Sequence, residues 1–283
     1  MILTFKKAEE YTKSALKLFE DNLVINWHDH SDQRWFATED ELKIFDESYY
    51  NRLVETVEKF HFDKTIISFL SMDDKCSVEK MKLANNINAE AIRRNPDKFL
   101  GLCFVNPGYQ KEALYEIDRC REMGFIGLKL YHQYKLNDPV LFPIIERCIE
   151  LDMPILMHAG RLTFDQYEPQ PKLSQGEYFA DIAKRYPESN LIMAHITGGG
   201  DWHWQLKAIE KYDNIVLDMA GSVIDEPVIE ECVKRIGAER VLFGTDFSAS
   251  ASVGKIIGAD ISEEDKKTIL CGKRYKRFLG IKE

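Results

Sequence analysis

The stretch LVINWHDHSD, residues 23–32, begins as a buried strand, LVINWH (23–28), and runs into His28-Asp29-His30. On a strand, residues two apart project to the same side, so both imidazoles can reach one point. Seven more apolar runs follow the same plan: KTIISFLS (64–71), FLGLCFV (99–105), FIGLKLY (125–131), PILMHAG (154–160), LIMAHIT (191–197), IVLDMAG (215–221) and VLFGTDF (241–247). Amphipathic helical stretches lie between them, among them YYNRLVETVEKF, KEALYEIDRCREMG, VLFPIIERCIELD, GEYFADIAKRYPE and PVIEECVKRIG. Several stop at Gly or Pro just before the next strand.

Near-continuous apolar strands are buried on both faces, which means a parallel sheet covered by helices. Eight such units in 283 residues predict an α/β fold of the (β/α)8 TIM-barrel type. A doubly wound open sheet is the alternative. It calls for a glycine fingerprint after the first strand, where His-Asp-His stands instead. No linker is visible, so residues 1–283 read as one domain. Residues 1–21 form a helical extension, 22–248 the barrel and 249–283 the closing helices. The amphipathic stretch 5–20 reads as a lid on the N-terminal end of the barrel.

In such a barrel the C-terminal ends of all strands meet at one mouth. His28 and His30 end the first strand, His158 the fifth, His195 the sixth, and Asp246 the eighth. Each alone has an ordinary reading as a strand-end, turn or capping residue. Together, three or four imidazoles and a carboxylate at one rim suit a divalent ion, Zn²⁺ foremost, with Mn²⁺ or Fe²⁺ as alternatives.

These segments carry a resemblance. HDH, MHAG (157–160), MAHITGGG (193–200) and LFGTDF (242–247), with GFIGLKLY (124–131) and the closing ISEEDKKTILCGKRYKRFLG (261–280), resemble the amidohydrolase superfamily. The nearer likeness is to its amidohydrolase-2 branch, which includes aminocarboxymuconate-semialdehyde decarboxylase. The resemblance implies His28, His30, His158 and Asp246 as metal ligands, with His195 orienting and deprotonating a metal-activated water and Asp246 also serving catalysis. It implies a homodimer. Asn26 stands where the branch usually has Asp, and Lys273 where it usually has Asn. Lys129, on the fourth strand, is either a carboxylated metal bridge, as in some members of the superfamily, or a lysine paired with a carboxylate at the mouth.

A hydrolase acting on a small organic acid, ester, lactone or amide is the expected function. The alternative within the branch is a metal-dependent non-oxidative decarboxylase; a more distant one is a catalytically silent metabolite-binding barrel, which a broken ligand set would mark. Loops after the strands supply the pocket. Arg34, Arg161, Trp202 and Lys129 are the expected substrate contacts, since guanidinium grips carboxylate bidentately. His132 is placed to line the mouth, and His61 reads as structural.

The net charge of −9 argues against nucleic acid or an anionic membrane as the main partner. No apolar run approaches the roughly 18 residues of a membrane span. The N-terminus turns charged after five residues, unlike a signal peptide. Six scattered cysteines without a CxxC pair read as reduced core thiols, so the expected location is the cytoplasm.

Overall fold

Eight parallel strands follow one another around a barrel in chain order. They are β1 (Ile25–His30), β2 (Lys64–Ser68), β3 (Phe99–Phe104), β4 (Gly127–Leu130), β5 (Ile155–His158), β6 (Leu191–Ala194), β7 (Ile215–Asp218) and β8 (Val241–Leu242). Backbone hydrogen bonds carry the ladder from β8 back to β1: Trp27 N donates to Phe243 O (2.8 Å), and Thr245 N and Asp246 N donate to His28 O (2.9 and 2.7 Å). The (β/α)8 barrel read from the sequence is therefore the observed fold. The structure is a computed structural model that describes residues 17–73, 75–160, 170–195, 202–221 and 225–280. No helix among the described residues is long and apolar enough to cross a membrane.

Helices alternate with the strands outside. Those the site depends on are α1 (Glu39–Leu42) and α2 (Glu47–Lys59) after β1, α3 (Val78–Arg94) after β2, and α4 (Gln110–Glu122) after β3. Their starts follow local chemistry. Thr38 and Glu41 form a reciprocal capping box on α1, and the Ser77 hydroxyl accepts from Lys80 N at α3, satisfying amide groups that the first helical turn leaves free.

Inside the barrel the side chains form two storeys. The lower one is apolar: Ile25 and Trp27, Ile66, Leu102, Leu156, Ile192, Val216 and Leu242, all essentially buried. Tyr275 and Leu279, from the closing segment, plug its base. The Tyr275 ring meets Trp27 edge-on at 5.6 Å, and Gly272, with φ +56°, lies so close to the indole that a Cβ there would overlap it. The base is thus filled from the C-terminal segment. Of the helix expected over 5–20 only residues 17–20 fall within the described residues; there Phe19 packs on Phe62 and Phe243 (6.5 and 5.8 Å).

Strand β1 departs from regular pairing in a way that matters for the mouth. Ile25 and Trp27 face the floor, and strict alternation would turn the next even-numbered residues outward. The β1–β2 register shifts between Asn26 and Asp29. Such a bulge re-aims side chains, and His28 and His30 come to face the interior above Trp27. The sequence places the end of the strand at His28; the observed strand continues through His30. The other expected strands end sooner than their apolar runs. The β6 ladder stops at Ala194 and β8 at Leu242, and His195 (φ +58°), Asp246 (φ +44°) and Phe247 (φ +57°) adopt left-handed conformations. Non-glycine residues there carry strain, which is tolerated where function holds it. Leaving the ladder is what turns these side chains over the mouth.

Candidate metal centre at the barrel mouth

His28 is the most constrained of the site residues. Its Nδ1 lies 2.5 Å from Asp218 Oδ2. Asp218 ends β7, is fully buried, and accepts from Ala220 N (2.8 Å). A carboxylate on Nδ1 places the ring proton there and leaves the Nε2 lone pair facing the barrel axis. Gly244 makes this pairing feasible. A Cβ at that position would overlap the Asp218 carboxylate and crowd the His28 Cβ, so only glycine lets β7 and β1 side chains meet in front of β8.

Asp246 sits at the centre. Its Oδ1 is 2.8 Å from His30 Nε2 and 3.6 Å from His28 Nε2, and its Oδ2 is 3.5 Å from His195 Nε2. The His30 Nδ1 faces Ser68 O at 3.1 Å. The His195 ring stands 5.0 Å from His28 and 4.9 Å from His158. The donor atoms of His28, His195 and Asp246 all lie within 4.8 Å of one another. The Nε2 of His158, on a buried ring, has no hydrogen-bond partner. All five residues expected at the centre are thus brought together, and His195 joins the closest group of donors.

A seam of side chains holds β1 and β8 in phase behind these ligands. Asn26 Nδ2 donates to Thr245 Oγ1 (2.7 Å) and Asp29 Oδ2 (3.1 Å), while its Oδ1 accepts from Thr245 N (3.1 Å). Thr245 Oγ1 donates to Asp29 Oδ2 (2.6 Å). The residue that departs from the branch's usual Asp therefore locks the two strands carrying His28, His30 and Asp246.

The protonation states suit a cation. Burial holds His28 well below the usual histidine range, helped by Lys129, and lowers His158 likewise, with His195 and Lys129 adding to the effect. Burial brings His195 to about 4. Burial alone would raise Asp246, but His195, His28 and His30 outweigh it and hold the carboxylate well below its ordinary range. Burial raises Asp218 to about 6. At neutral pH these are neutral imidazoles and ionised carboxylates, the forms that ligate metals. The orphaned His158 Nε2 and the convergent donors fit a divalent ion held by His28, His195 and Asp246, with His30 and His158 beside them. Lys129 is the counter-feature. Fully buried on β4, its Nζ sits 2.7 Å from His28 Nε2, on the nitrogen a cation would use. Burial lowers its amine to about 8, with Asp246 and Asp218 opposing.

The expected substrate contacts fare differently. Lys129 lies in the centre. The Arg34 guanidinium is turned to Asp32 (2.5–3.0 Å) and to the carbonyls of Glu41 and Ile44, and so braces the loop after β1. Trp202, the first residue of the helix Trp202–Ile209, is buried and donates from Nε1 to Asp225 (3.2 Å). Arg161 lies outside the described residues. His61 is half-exposed beside Glu20. Sequence reasoning missed Asp218, although IVLD ends its strand on a polar residue as the histidine strands do. It also missed Tyr131, whose ring lies 4.7 Å from His158.

The described cysteines are free thiols, and burial raises those at 76, 103, 148 and 232. They take no part in the site.

Comparison with known proteins now bears on this geometry. A family model described as amidohydrolase matches residues 25–272. The chain is 24% identical over 246 residues to 2-amino-3-carboxymuconate-6-semialdehyde decarboxylase of Dictyostelium discoideum, covering 72% of this chain and 68% of that one. It is 25% identical over 224 residues to 2-keto-4-carboxy-3-hexenedioate hydratase of a Sphingobium species, covering 66% of this chain and 62% of that one. Among solved structures, dihydroxybenzoic acid decarboxylase from a Polaromonas species, with bound manganese and the inhibitor 2-nitroresorcinol, superposes with a TM-score of 0.70 at 19% identity, over 91% of this chain and 97% of that one.

Proposed function

The chain belongs to the amidohydrolase family, and from that premise we propose that it is a metal-dependent decarboxylase acting on a small carboxylated substrate. The observation that carries the reading is the buried Lys129 ammonium beside the His28, His195 and Asp246 donors. A fixed cation next to a metal centre is complementary to a carboxylate. Decarboxylation is better supported by the relatives than the hydrolysis expected from the sequence, since the curated relatives named above are a decarboxylase and a hydratase.

His28, His30, His158 and Asp246, with His195 close enough to join them, would hold the ion. The nitrogen-rich set favours Zn²⁺; the manganese of the Polaromonas enzyme makes Mn²⁺ the other metal to measure. Such an ion supplies Lewis acidity and fixes the orientation of an oxygen-bearing substrate. The protein's own groups do the rest. Lys129 holds the carboxylate. The carbon–carbon bond to it breaks, its electron pair stays on the substrate carbon, and CO₂ leaves. That carbon takes a proton that originates in solvent and is relayed by the neutral His195, whose Nε2 faces the Asp246 carboxylate oxygen Oδ2 at 3.5 Å. The apolar storey below keeps water from the reacting carbon.

The test is turnover of a panel of aromatic and unsaturated carboxylates by Zn²⁺- and Mn²⁺-loaded protein. CO₂ release is followed beside ¹⁸O incorporation from labelled water. Release of CO₂ with a C–H product supports the reading. Label in the product without CO₂ would place the enzyme with hydrolases or with hydratases, which the Sphingobium relative favours as the second reading.

A further inference from the structure

Strand β8 leaves the sheet early, and the turn after β7 loses its neighbour. The β7–β8 ladder ends with Asp218 opposite Leu242, and Met219 N still donates to Leu242 O (3.1 Å). Beyond that point β8 swings to β1, where Thr245 N and Asp246 N donate to His28 O. No backbone N–H among the described residues then reaches the carbonyls of Met219 and Gly221. Met219 is buried, and a carbonyl there calls for a donor. The donor is Lys255. It stands on the helix Ala249–Gly258 that follows β8, half-buried and next to the fully buried Ile256. Its Nζ donates to Gly221 O (2.7 Å) and to Met219 O (3.0 Å). Such charge-assisted bonds are stronger than those between neutral groups.

Both ends of the clamped turn bear on the mouth. At its start the Asp218 carboxylate accepts from Ala220 N, inside the turn, and is paired with His28 Nδ1. At its end Gly221 (φ +95°) lies against His195. A Cβ there would stand 3.0 Å from His195 Nδ1 and 3.1 Å from its Cβ, so the Gly221 backbone forms the seat of that ring. Lys255 itself donates to no candidate ligand among the described residues; its hydrogen bonds go to the two carbonyls. We propose that Lys255 is a positioning residue of the mouth. By clamping the turn 219–221 from the helix outside the sheet, its ammonium fixes the Asp218 carboxylate on His28 and the backbone on which His195 rests. The inference rests on the metal-centre reading of these histidines and is independent of which reaction follows.

Long-range ¹H–¹⁵N spectra of metal-free protein labelled at histidine test it without any need for turnover, because they distinguish the two ring nitrogens of each imidazole. The wild type is expected to show His28 as a single Nδ1–H tautomer. Lys255→Met should give His28 a mixture of tautomers and displace the His195 signals, with His61, remote from the mouth, unchanged. Mn²⁺ affinity, measured by competition with a chelator, should fall by roughly 10–100-fold, the usual cost of losing support behind a metal-binding histidine. Ile256→Ala, on the same helix, removes packing and keeps the clamp. It should lower the melting temperature and leave spectra and affinity as in the wild type. Unchanged spectra or unchanged affinity in Lys255→Met overturns the proposal, as does a wild-type His28 without a fixed tautomer. The same changes in Ile256→Ala also overturn it, since they would assign the effect to a loosened helix. Thermal melting establishes that each variant is folded. Should Lys255→Met not fold, Lys255→Gln, which keeps a shorter, uncharged donor, decides by the same readouts. If the wild type takes up neither Mn²⁺ nor Zn²⁺, the spectra decide alone: a response to Lys255→Met then leaves this inference standing while the metal-centre reading falls.

Discussion

The floor and the mouth of this barrel are built on the same strands, one storey apart, and obey opposite chemistry. On β5, Leu156 lies in the floor and His158 in the mouth; on β7, Val216 and Asp218; on β6, Ile192 below and His195 above, beyond Ala194. The floor is held mainly by packing of apolar side chains, and the base is plugged by Tyr275 and Leu279, the Tyr275 hydroxyl donating to Leu191 O (3.4 Å). The mouth keeps ionisable groups largely out of water, with His158 Nε2, His195 Nδ1 and Tyr131 OH left unpaired and left-handed backbone at His195 and Asp246. Burial of that kind costs stability unless a ligand completes it. The comparison teaches that one storey holds the fold together and the next is held by it, and variants can separate the two.

The largest effect is expected at the centre of the mouth. Asp246→Asn removes the carboxylate that faces three histidines. It should lower carboxylate turnover by on the order of 10³-fold, the scale of losing a metal's several kcal/mol of stabilisation, with metal content reduced and the circular dichroism spectrum kept. Unchanged turnover would return the chain to the silent metabolite-binding alternative.

A floor change should do the reverse. Leu156→Ala opens a cavity beneath the site and should lower unfolding free energy by about 2–5 kcal/mol, read from urea denaturation. Metal affinity in the folded protein should stay near that of the wild type. Equal losses in both would mean that the storeys are not separable.

Asp218→Asn sharpens the comparison, because Asp218 is a fully buried mouth residue whose carboxylate is paired with His28 Nδ1. The ring would lose its fixed tautomer, and metal affinity should fall by roughly 10–100-fold, measured by competition with a chelator. Metal affinity equal to the wild type would show that the His28 orientation is set elsewhere.

The smallest effect is on pH dependence, in metal-free protein. Burial holds His28 and His158 well below the usual histidine range and His195 at about 4. On acidification the unfolded chain takes up these protons first, near pH 6.5, so the folded state is the poorer base and stability falls as pH drops. Asp218, raised by burial to about 6, and Asp29, also raised by burial, act in the opposite sense over part of that window. Three imidazoles against two carboxylates leave the imidazoles dominant, so stability is expected to fall as pH drops from about 6.5 toward 4. Denaturation midpoints at pH 7, 6 and 5 would measure it; a flat profile would show that the mouth histidines are charged when folded.

Much of this was legible in the chain. Eight apolar runs spaced by amphipathic helices announce a parallel barrel, because strands buried on both faces leave a periodicity that local composition alone records. The ligand candidates were legible for the same reason, each being a polar residue that closes an apolar run. Asp218 has that mark too, in IVLD, but a lone aspartate at a strand end looks like a turn residue until its partner is known. Arg34 shows the opposite failure. Its charge suggests a substrate carboxylate, while Asp32, two residues away, takes the guanidinium.

By itself, then, the sequence determined the barrel, the order of its strands and the set of residues that gather at its mouth, since these follow from hydrophobic periodicity and from which strand ends are polar. Only the tertiary structure decided which way those residues point and whom they meet. The β1 bulge that turns His28 and His30 inward, the Gly244 gap that admits Asp218 to His28, and the placing of Lys129 on the same imidazole each join positions far apart in the chain. Register, close approach and shared burial are properties of neighbours in space, and no local pattern encodes them.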